Sequence, residues 1–370
     1  MMKKKIFSTS DNTIKPILLA LILFLFGILS INLIPPNLYK NEINMYERSF
    51  ARYLLNAIVT SRNFIKEDDK ILINETLTKY MGISPKLIGI VPPFIPITLR
   101  DRIRTAPQYN LLACSLHKHM SSMISPAMCY LRNETEYINE YGMVIADNND
   151  ACINTREKKI NAWFHDIKTA LKHESSPLDK WKFFSFSRDP IERFISGFTN
   201  ICIDNSIQLG NKTCYDCGMN LECFIETLYK DMIGYASGKQ FMRYEVAAHF
   251  YPQSWMCDYF QYFNKYKIIP YSSVTIKNKK FIDSLKKLLQ DSNVPSVSIN
   301  FIIEQFENTK THHRTVGKKT RKDIEKQLRN SPHLMDRLYQ MFYFDFILFN
   351  YDIPKEFIWK GPDVVPPDTP

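Results

Sequence analysis

Residues Phe183-Phe184-Ser185-Phe186-Ser187-Arg188-Asp189-Pro190-Ile191-Glu192-Arg193-Phe194-Ile195-Ser196-Gly197-Phe198 change period within a few positions. An aromatic run with strong β propensity ends at Arg188. Asp189 then suits a helix cap, Pro190 suits the first helical position, and Glu192 stands three residues after Asp189 in capping-box spacing. Ile191, Phe194, Ile195 and Phe198 recur at helical spacing as a buried stripe, which places Glu192, Ser196 and Thr199 on another face. The reading is strand, tight turn, helix, with a guanidinium at the strand end. A phosphate at that helix start would meet Arg188, backbone N–H groups and, along the open face, the Ser196 hydroxyl. The bland alternative pairs Arg188 with Asp189 or Glu192 and leaves Ser196 solvated.

The same grammar occurs once upstream. Leu111-Leu112-Ala113-Cys114-Ser115-Leu116 is an apolar run, His117-Lys118-His119-Met120-Ser121-Ser122 is polar, and residues 123–131 are helical in pattern. Lys118 offers a point charge for a phosphate or a leaving oxygen, and Ser121 and Ser122 offer directional hydroxyls. An ordinary polar loop is the alternative. Pro126 fits a first helical position with Ser125 as cap, and should disturb a helix already begun at Ser121. A third strand, residues 266–271, precedes a helical stretch at 281–289. Together these units predict an α/β fold, a parallel sheet flanked by helices.

Composition narrows the partners. The 370 residues carry 48 Lys+Arg against 38 Asp+Glu, a formal +10 that favours anionic partners. Glycine numbers only 11, against about 26 at ordinary usage, so glycine-rich phosphate loops are disfavoured. Neither G-x-G-x-x-G nor G-x-x-x-x-G-K-[ST] occurs.

Residues 17–34 are apolar except for Gly27, Ser30 and Asn32, close to the ~20 residues a helix needs to cross a bilayer. Lys3, Lys4, Lys5 and Lys15 precede them with only Asp11 opposing, so the positive-inside rule keeps the N-terminus cytosolic. A cleaved signal peptide is the alternative, but no A-x-A-like site follows, so an uncleaved anchor is expected. The remainder then faces a lumen and keeps +7 after this cytosolic +3 is set aside. Nucleic acid becomes an unsuitable partner there. Three glycosylation acceptors, at Asn74, Asn133 and Asn211, lie beyond the run, as do all eight cysteines. Cys214, Cys217 and Cys223 have spacing that also suits zinc, but no second C-x-x-C and no nearby histidine completes such a site, so disulfides are expected. The expected organisation is a cytosolic tail (1–15), an anchor (16–34), a stem (35–95), a lumenal domain (96–360) and a proline-rich tail (361–370).

Taken in order, these pieces resemble the Golgi carbohydrate sulfotransferases, in the branch containing the chondroitin 4-sulfotransferases. Arg188 to Ser196 is similar to the family's 3′-phosphate motif, R-[DEH]-P-[FI]-E-R-[LF]-x-S. His249-Phe250-Tyr251-Pro252, with Cys257 eight residues after the histidine, is similar to its H-W-x-P…C segment. Tyr343-Phe344-Asp345-Phe346-Ile347-Leu348-Phe349-Asn350-Tyr351-Asp352-Ile353-Pro354 is similar to its closing motif. The resemblance covers residues 106–354 and implies a P-loop-like sheet binding 3′-phosphoadenosine 5′-phosphosulfate. By position, Lys118, Ser121 and Ser122 would hold the 5′-phosphosulfate, and Arg188 and Ser196 the 3′-phosphate. Where the family commonly has K-x-G-[CST]-[ST], Met120 replaces glycine, marking a divergent member.

The activity so implied is sulfuryl transfer to a sugar hydroxyl of a glycan or glycosaminoglycan by in-line displacement, in the Golgi lumen. Like phosphoryl transfer, it depends on positioning and charge stabilisation, and the scheme requires no metal. Lys118 is the candidate for stabilising the departing oxygen. His249 is the candidate base, since imidazole titrates near working pH. Its alternative role is structural, packed beside Trp255 and tied down by a Cys257 disulfide; Glu245, His165 and His173 are the other candidate bases. The basic stretch 310–322 suits either phosphate or an acidic glycan, or is a solvated loop and helix start. Two other classes share the anchor, sequons and cysteines: a Golgi glycosyltransferase, whose frequent Asp-x-Asp motif is missing here, and a non-catalytic lumenal glycan-binding protein.

Overall fold

The computed structural model describes residues 89–97, 99, 102–143, 145, 163–175, 177–205, 211–272, 275–308, 315 and 317–357, all within the compact unit that spans residues 71–370. The apolar run 17–34, the stem to residue 88, the Asn74 acceptor and the tail 361–370 lie outside the described residues. Among those described, no helix is long and apolar enough to cross a membrane.

Five strands form one sheet: β1 (Ile103–Ala106), β2 (Leu111–Cys114), β3 (Trp163–Phe164), β4 (Lys182–Arg188) and β5 (Tyr266–Tyr271), in the order β3-β1-β2-β4-β5. The expected parallel pairing holds for β2, β4 and β5. The sheet as a whole is mixed, because β1 runs antiparallel to both β2 and β3. The link from β1 to β2 is too short for a crossover: a single turn at Pro107–Tyr109 and Asn110 at φ 49° reverse the chain. Pro270 falls in β5, an edge strand, where its missing N–H costs no ladder bond on the outer side.

Helices cover both faces of the central strands, which is why β4 is buried along six of its seven residues. The pleat sends alternate residues to opposite layers. Leu111, Ala113, Phe184, Phe186 and Ile269 pack into a core with α1 (Ser121–Arg132) and α2 (Glu134–Tyr141). Two later helices of this layer, residues 275–291 and 296–308, add Phe281, Leu285, Leu288, Ile302 and Phe306. Phe183, Ser185 and Ser187 face the other way, toward Tyr266, Tyr259 and Tyr351. That second layer holds α3 (Ile167–Glu174), α4 (Pro190–Phe198), α5 (Leu221–Ala236), α6 (Tyr244–Phe250) and α7 (Tyr259–Tyr262). Continuing the count, α8 and α9 are the helices at 275–291 and 296–308, and α10 (Lys319–Arg329) and α11 (Pro332–Leu348) complete the set. Phe194, Phe198, Phe224, Phe250 and Phe342 interlock among α4, α5, α6 and α11. Each such ring contributes about 2–3 kcal/mol through burial.

Residues 89–97 already belong to this body. The Val91 N–H donates to the Gln340 carbonyl at 2.9 Å, and the Trp255 indole donates to the Pro92 carbonyl at 2.7 Å. Disulfides Cys114–Cys257, Cys202–Cys214 and Cys217–Cys223 are formed, so the cysteine cluster at 214–223 is bridged rather than arranged for zinc.

Candidate active site

Both turns predicted to face an anion emerge at the carboxyl ends of neighbouring parallel strands, where open α/β sheets bind ligands. The register pairs Cys114 of β2 with Ser185 of β4, so β4 continues three residues further, ending at Arg188. That offset brings the Arg188 guanidinium under the β2–α1 loop, where its Nη1 donates to the Lys118 carbonyl at 3.0 Å.

The helix after β4 starts as the spacing requires. Asp189 Oδ1 accepts the Glu192 N–H at 2.8 Å and Pro190 occupies the first position, a cap worth about 1 kcal/mol. Glu192 Oε2 lies 3.6 Å from Arg188 Nε, so the ion-pair geometry coexists with the contact to the loop. One expectation is corrected: Ser196 and Thr199 do not lie on an open face but are buried, and Thr315 packs over Ser196. Past Phe198 the helix widens into a π-helical turn, Thr199–Asp204. This turn carries Asn200, whose Oδ1 accepts from Lys118 Nζ.

The β2–α1 loop adopts left-handed backbone at Lys118, φ 69°, and at Met120, φ 58°. Glycine enters that region freely, and other residues are held there only by their surroundings. Here the surroundings are visible: Met120 packs against the sheet core, and its carbonyl accepts from the N–H groups of Met123 and Ile124 at 2.9 and 3.0 Å. Ser121 and Ser122 open α1, which runs through Pro126 rather than restarting there. Pro126 has no N–H for the Ser122 carbonyl, so its irregularity falls at the loop end of the helix.

Cations crowd the site. Burial, reinforced by Arg188 and Arg193, lowers Lys118 from its ordinary value to about 7. Arg193 is fully buried and donates to the carbonyls of Tyr251 at 2.8 Å and Ala248 at 3.3 Å. Burial lowers it to about 10, while Asp345 opposes the shift. A buried concentration of positive charge with hydroxyls and helix N-termini is chemically suited to a polyanion.

His249 stands at the end of α6. Its Nδ1–H donates to the Glu245 carbonyl at 2.8 Å, which leaves Nε2 as the accepting nitrogen. Its ring lies 4.3 Å from that of His117. Burial first, then the charge of Lys118, pushes it down to about 3, so the imidazole is neutral across the physiological range and does not titrate near working pH, the ground on which the sequence singled it out. Glu245 is half exposed with Oε2 at 3.8 Å from Nδ1. His165 lines a small hollow with Arg102, Cys257 and Asp258, and His173 is half exposed against Phe164. The sequence candidates Lys118, Arg188 and His249 are therefore drawn together, with Ser121, Ser122 and Ser196 on the two flanking helices.

The joint among them was missed at the sequence level. Gln253 is fully buried and clamps the Arg188 backbone from both sides, accepting its N–H at 3.1 Å and donating to its carbonyl at 2.8 Å. His119 Nε2 lies 2.6 Å from the same Gln253 Oε1. Asp345 in turn accepts the N–H groups of Gln253 and Ser254 at 2.6 and 2.9 Å. Gln253 directly follows the quoted His249–Pro252 segment and Asp345 lies inside the closing motif, so the three separate motifs meet at one side chain. Their order along the chain carried no hint of that.

Comparison with known proteins agrees with the geometry. Residues 101–352 match the model of the sulfotransferase family. A Caenorhabditis elegans protein described only as uncharacterized protein C18B2.2 is 32% identical over 260 residues, covering 69% of this chain and 70% of that one. Carbohydrate sulfotransferase chst-1 of the same organism is 28% identical over 292 residues, covering 78% of this chain and 85% of its own. No solved structure gives a significant match. With the family match spanning the whole sheet and both anion-facing turns, the chain belongs to the sulfotransferase family.

Proposed function

We propose that this chain moves the sulfuryl group of 3′-phosphoadenosine 5′-phosphosulfate to a hydroxyl of a glycan. The observation that carries the reading is the contact of Arg188 with the Lys118 carbonyl, which joins two helix-opening turns into one cationic site. The residues present fit a nucleotide with phosphate at both ends, because the Arg188 guanidinium stands at the end of β4 and the Ser196 hydroxyl on α4, while an ammonium and two hydroxyls stand at the start of α1. When bound, the nucleotide supplies a sulfuryl group already activated as a mixed anhydride.

Lys118, Ser121 and Ser122 hold its 5′ end, and Lys118 stabilises charge as the bridging oxygen departs. Arg188 and Ser196 hold the 3′-phosphate. His249, kept neutral by burial, accepts the proton of the attacking hydroxyl at Nε2. The carbohydrate acceptor is supported by the name of the relative chst-1. A Golgi lumenal placement behind an anchor at residues 17–34 is supported by the lysines before that run and by disulfides suited to an oxidising compartment.

Adenosine 3′,5′-bisphosphate should raise the melting temperature of the purified chain, with Lys118→Ala and Arg188→Ala each shrinking the shift. A nucleotide-diphosphate sugar raising it instead would favour a glycosyltransferase, and no response to either would favour a glycan-binding protein.

A further inference from the structure

Arg102 stands immediately before β1, and its carbonyl accepts the Ser115 N–H at 2.8 Å. Because β1 runs antiparallel to β2, with Ile103 opposite Cys114, the start of β1 lies at the same edge of the sheet as the loop that carries Lys118. In the strand order, β1 and β4 flank β2 on opposite sides. Neighbouring strands are about 4.8 Å apart, so Arg188 ends the strand on one side of that loop and Arg102 precedes the strand on the other. The nucleotide reading fills the Arg188 side with the 3′ end of the donor. In-line transfer brings the acceptor in opposite the departing nucleotide, which assigns the β1 side to the acceptor.

The Arg102 side chain is half-buried. Among the described residues it donates from Nη2 to the Tyr244 hydroxyl at 3.2 Å, no carboxylate pairs with it, and its Nε is buried without a hydrogen-bond partner. A guanidinium has five N–H donors, and one held partly out of water without a counter-charge carries a cost that an anion relieves. Arg102 borders a hollow lined also by Ile97, His165, Met256 and Asp258. Asp258 there accepts the Ile167 N–H at 2.9 Å rather than pairing with the guanidinium. Tyr244 opens α6, the helix that carries His249. The charge of Arg102 also reaches both imidazoles: burial first, then Arg102, lowers His117 well below its ordinary value, and Arg102 acts on His249 after burial, Lys118 and Arg193.

We infer that Arg102 is an acceptor-binding, specificity-determining residue, which takes a carboxylate or sulfate of the incoming sugar chain and so sets a hydroxyl of that chain at Nε2 of His249. Both anions present paired oxygens suited to a bidentate guanidinium contact, and a neutral glycan presents none. The inference deepens the transfer reading given above and rests on it.

Isothermal titration of the full-length protein, saturated with adenosine 3′,5′-bisphosphate, separates this inference from the transfer reading. The probes are chondroitin oligosaccharides of one length in three chemical forms: desulfated, with carboxylates alone; carboxyl-reduced, with sulfates alone; and both desulfated and carboxyl-reduced, hence neutral. The wild type should bind at least one charged form about tenfold or more tightly than the neutral one, the worth of one charge-assisted hydrogen bond, and the form preferred identifies the anion. Arg102→Gln and Arg102→Met should each erase that preference and Arg102→Lys should keep part of it, while all three retain the wild-type affinity for the bisphosphate. Preference surviving in Arg102→Gln, or a wild type that does not distinguish charged from neutral forms, would overturn the inference and leave the nucleotide reading standing. A parallel loss of bisphosphate affinity in the variants would mark a structural role and overturn it too. A wild type that does not bind the bisphosphate would remove the transfer reading and this inference with it. Arg102→Met, which matches the apolar stem, keeps the test valid should Arg102→Gln fail to fold.

Discussion

Lys118 carries two demands that oppose each other. Without ligand, burial beside Arg188 and Arg193 lowers it to about 7, so at neutral pH much of the population is uncharged. A polyanion alongside restores the charge, and binding therefore takes up a proton. Bisphosphate affinity should fall as pH rises from 6.5 to 8.5, by up to about tenfold per unit above 7, and Lys118→Met should flatten that dependence in titration calorimetry. The unliganded fold has the opposite sign: a lysine depressed in the folded state costs stability in full below about 7, and the cost is relieved progressively as pH rises from about 7 toward its ordinary value of 10.5. His249 is different, since it is neutral throughout. His249→Ala should abolish sulfuryl transfer, by more than about a hundredfold, while leaving bisphosphate affinity intact. Retained turnover in that variant would remove His249 from the role.

Elements are held in register by contacts far apart in sequence. The Cys114–Cys257 bridge ties the last residue of β2, four positions before Lys118, to the segment that follows α6 and His249. Opening it with a Cys114→Ser, Cys257→Ser pair should lower the melting temperature and, at temperatures where the fold persists, reduce kcat more than nucleotide affinity, since it joins the loop to the base. Equal activity of variant and wild type would show that packing alone sets that distance. The units 111–131 and 182–198 were legible because each couples a β-rich run to a helical pattern, the second of them with its cap at Asp189 and Pro190. β1 was not: Ile103-Arg104-Thr105-Ala106 is four residues long with no alternation, and only its pairing with β2 makes it a strand. The clamp of Gln253 on Arg188 was invisible for a related reason. A glutamine satisfied by the backbone of a residue 65 positions away leaves no periodic trace.

For the whole molecule, the scarcity of glycine loses its difficulty. The loop after β2 takes left-handed geometry at Lys118 and Met120 without glycine, held by core packing and by the first turn of α1. Part of the charge excess also acquires a place: Lys118, Arg188, Arg193 and Arg321 gather where α4, α10 and the β2–α1 loop meet. Arg193 and Arg321 were hidden in the sequence because nothing in a helical pattern tells an inward arginine from a solvated one. The direct test is transfer of labelled sulfate from 3′-phosphoadenosine 5′-phosphosulfate by the full chain to chondroitin, dermatan, heparan and N-glycan acceptors. Labelling of at least one glycan by the wild type, lost in Lys118→Ala and Arg188→Ala, is the expected result; a folded, nucleotide-binding wild type that labels none, or variants that label as well as it does, would contradict the account.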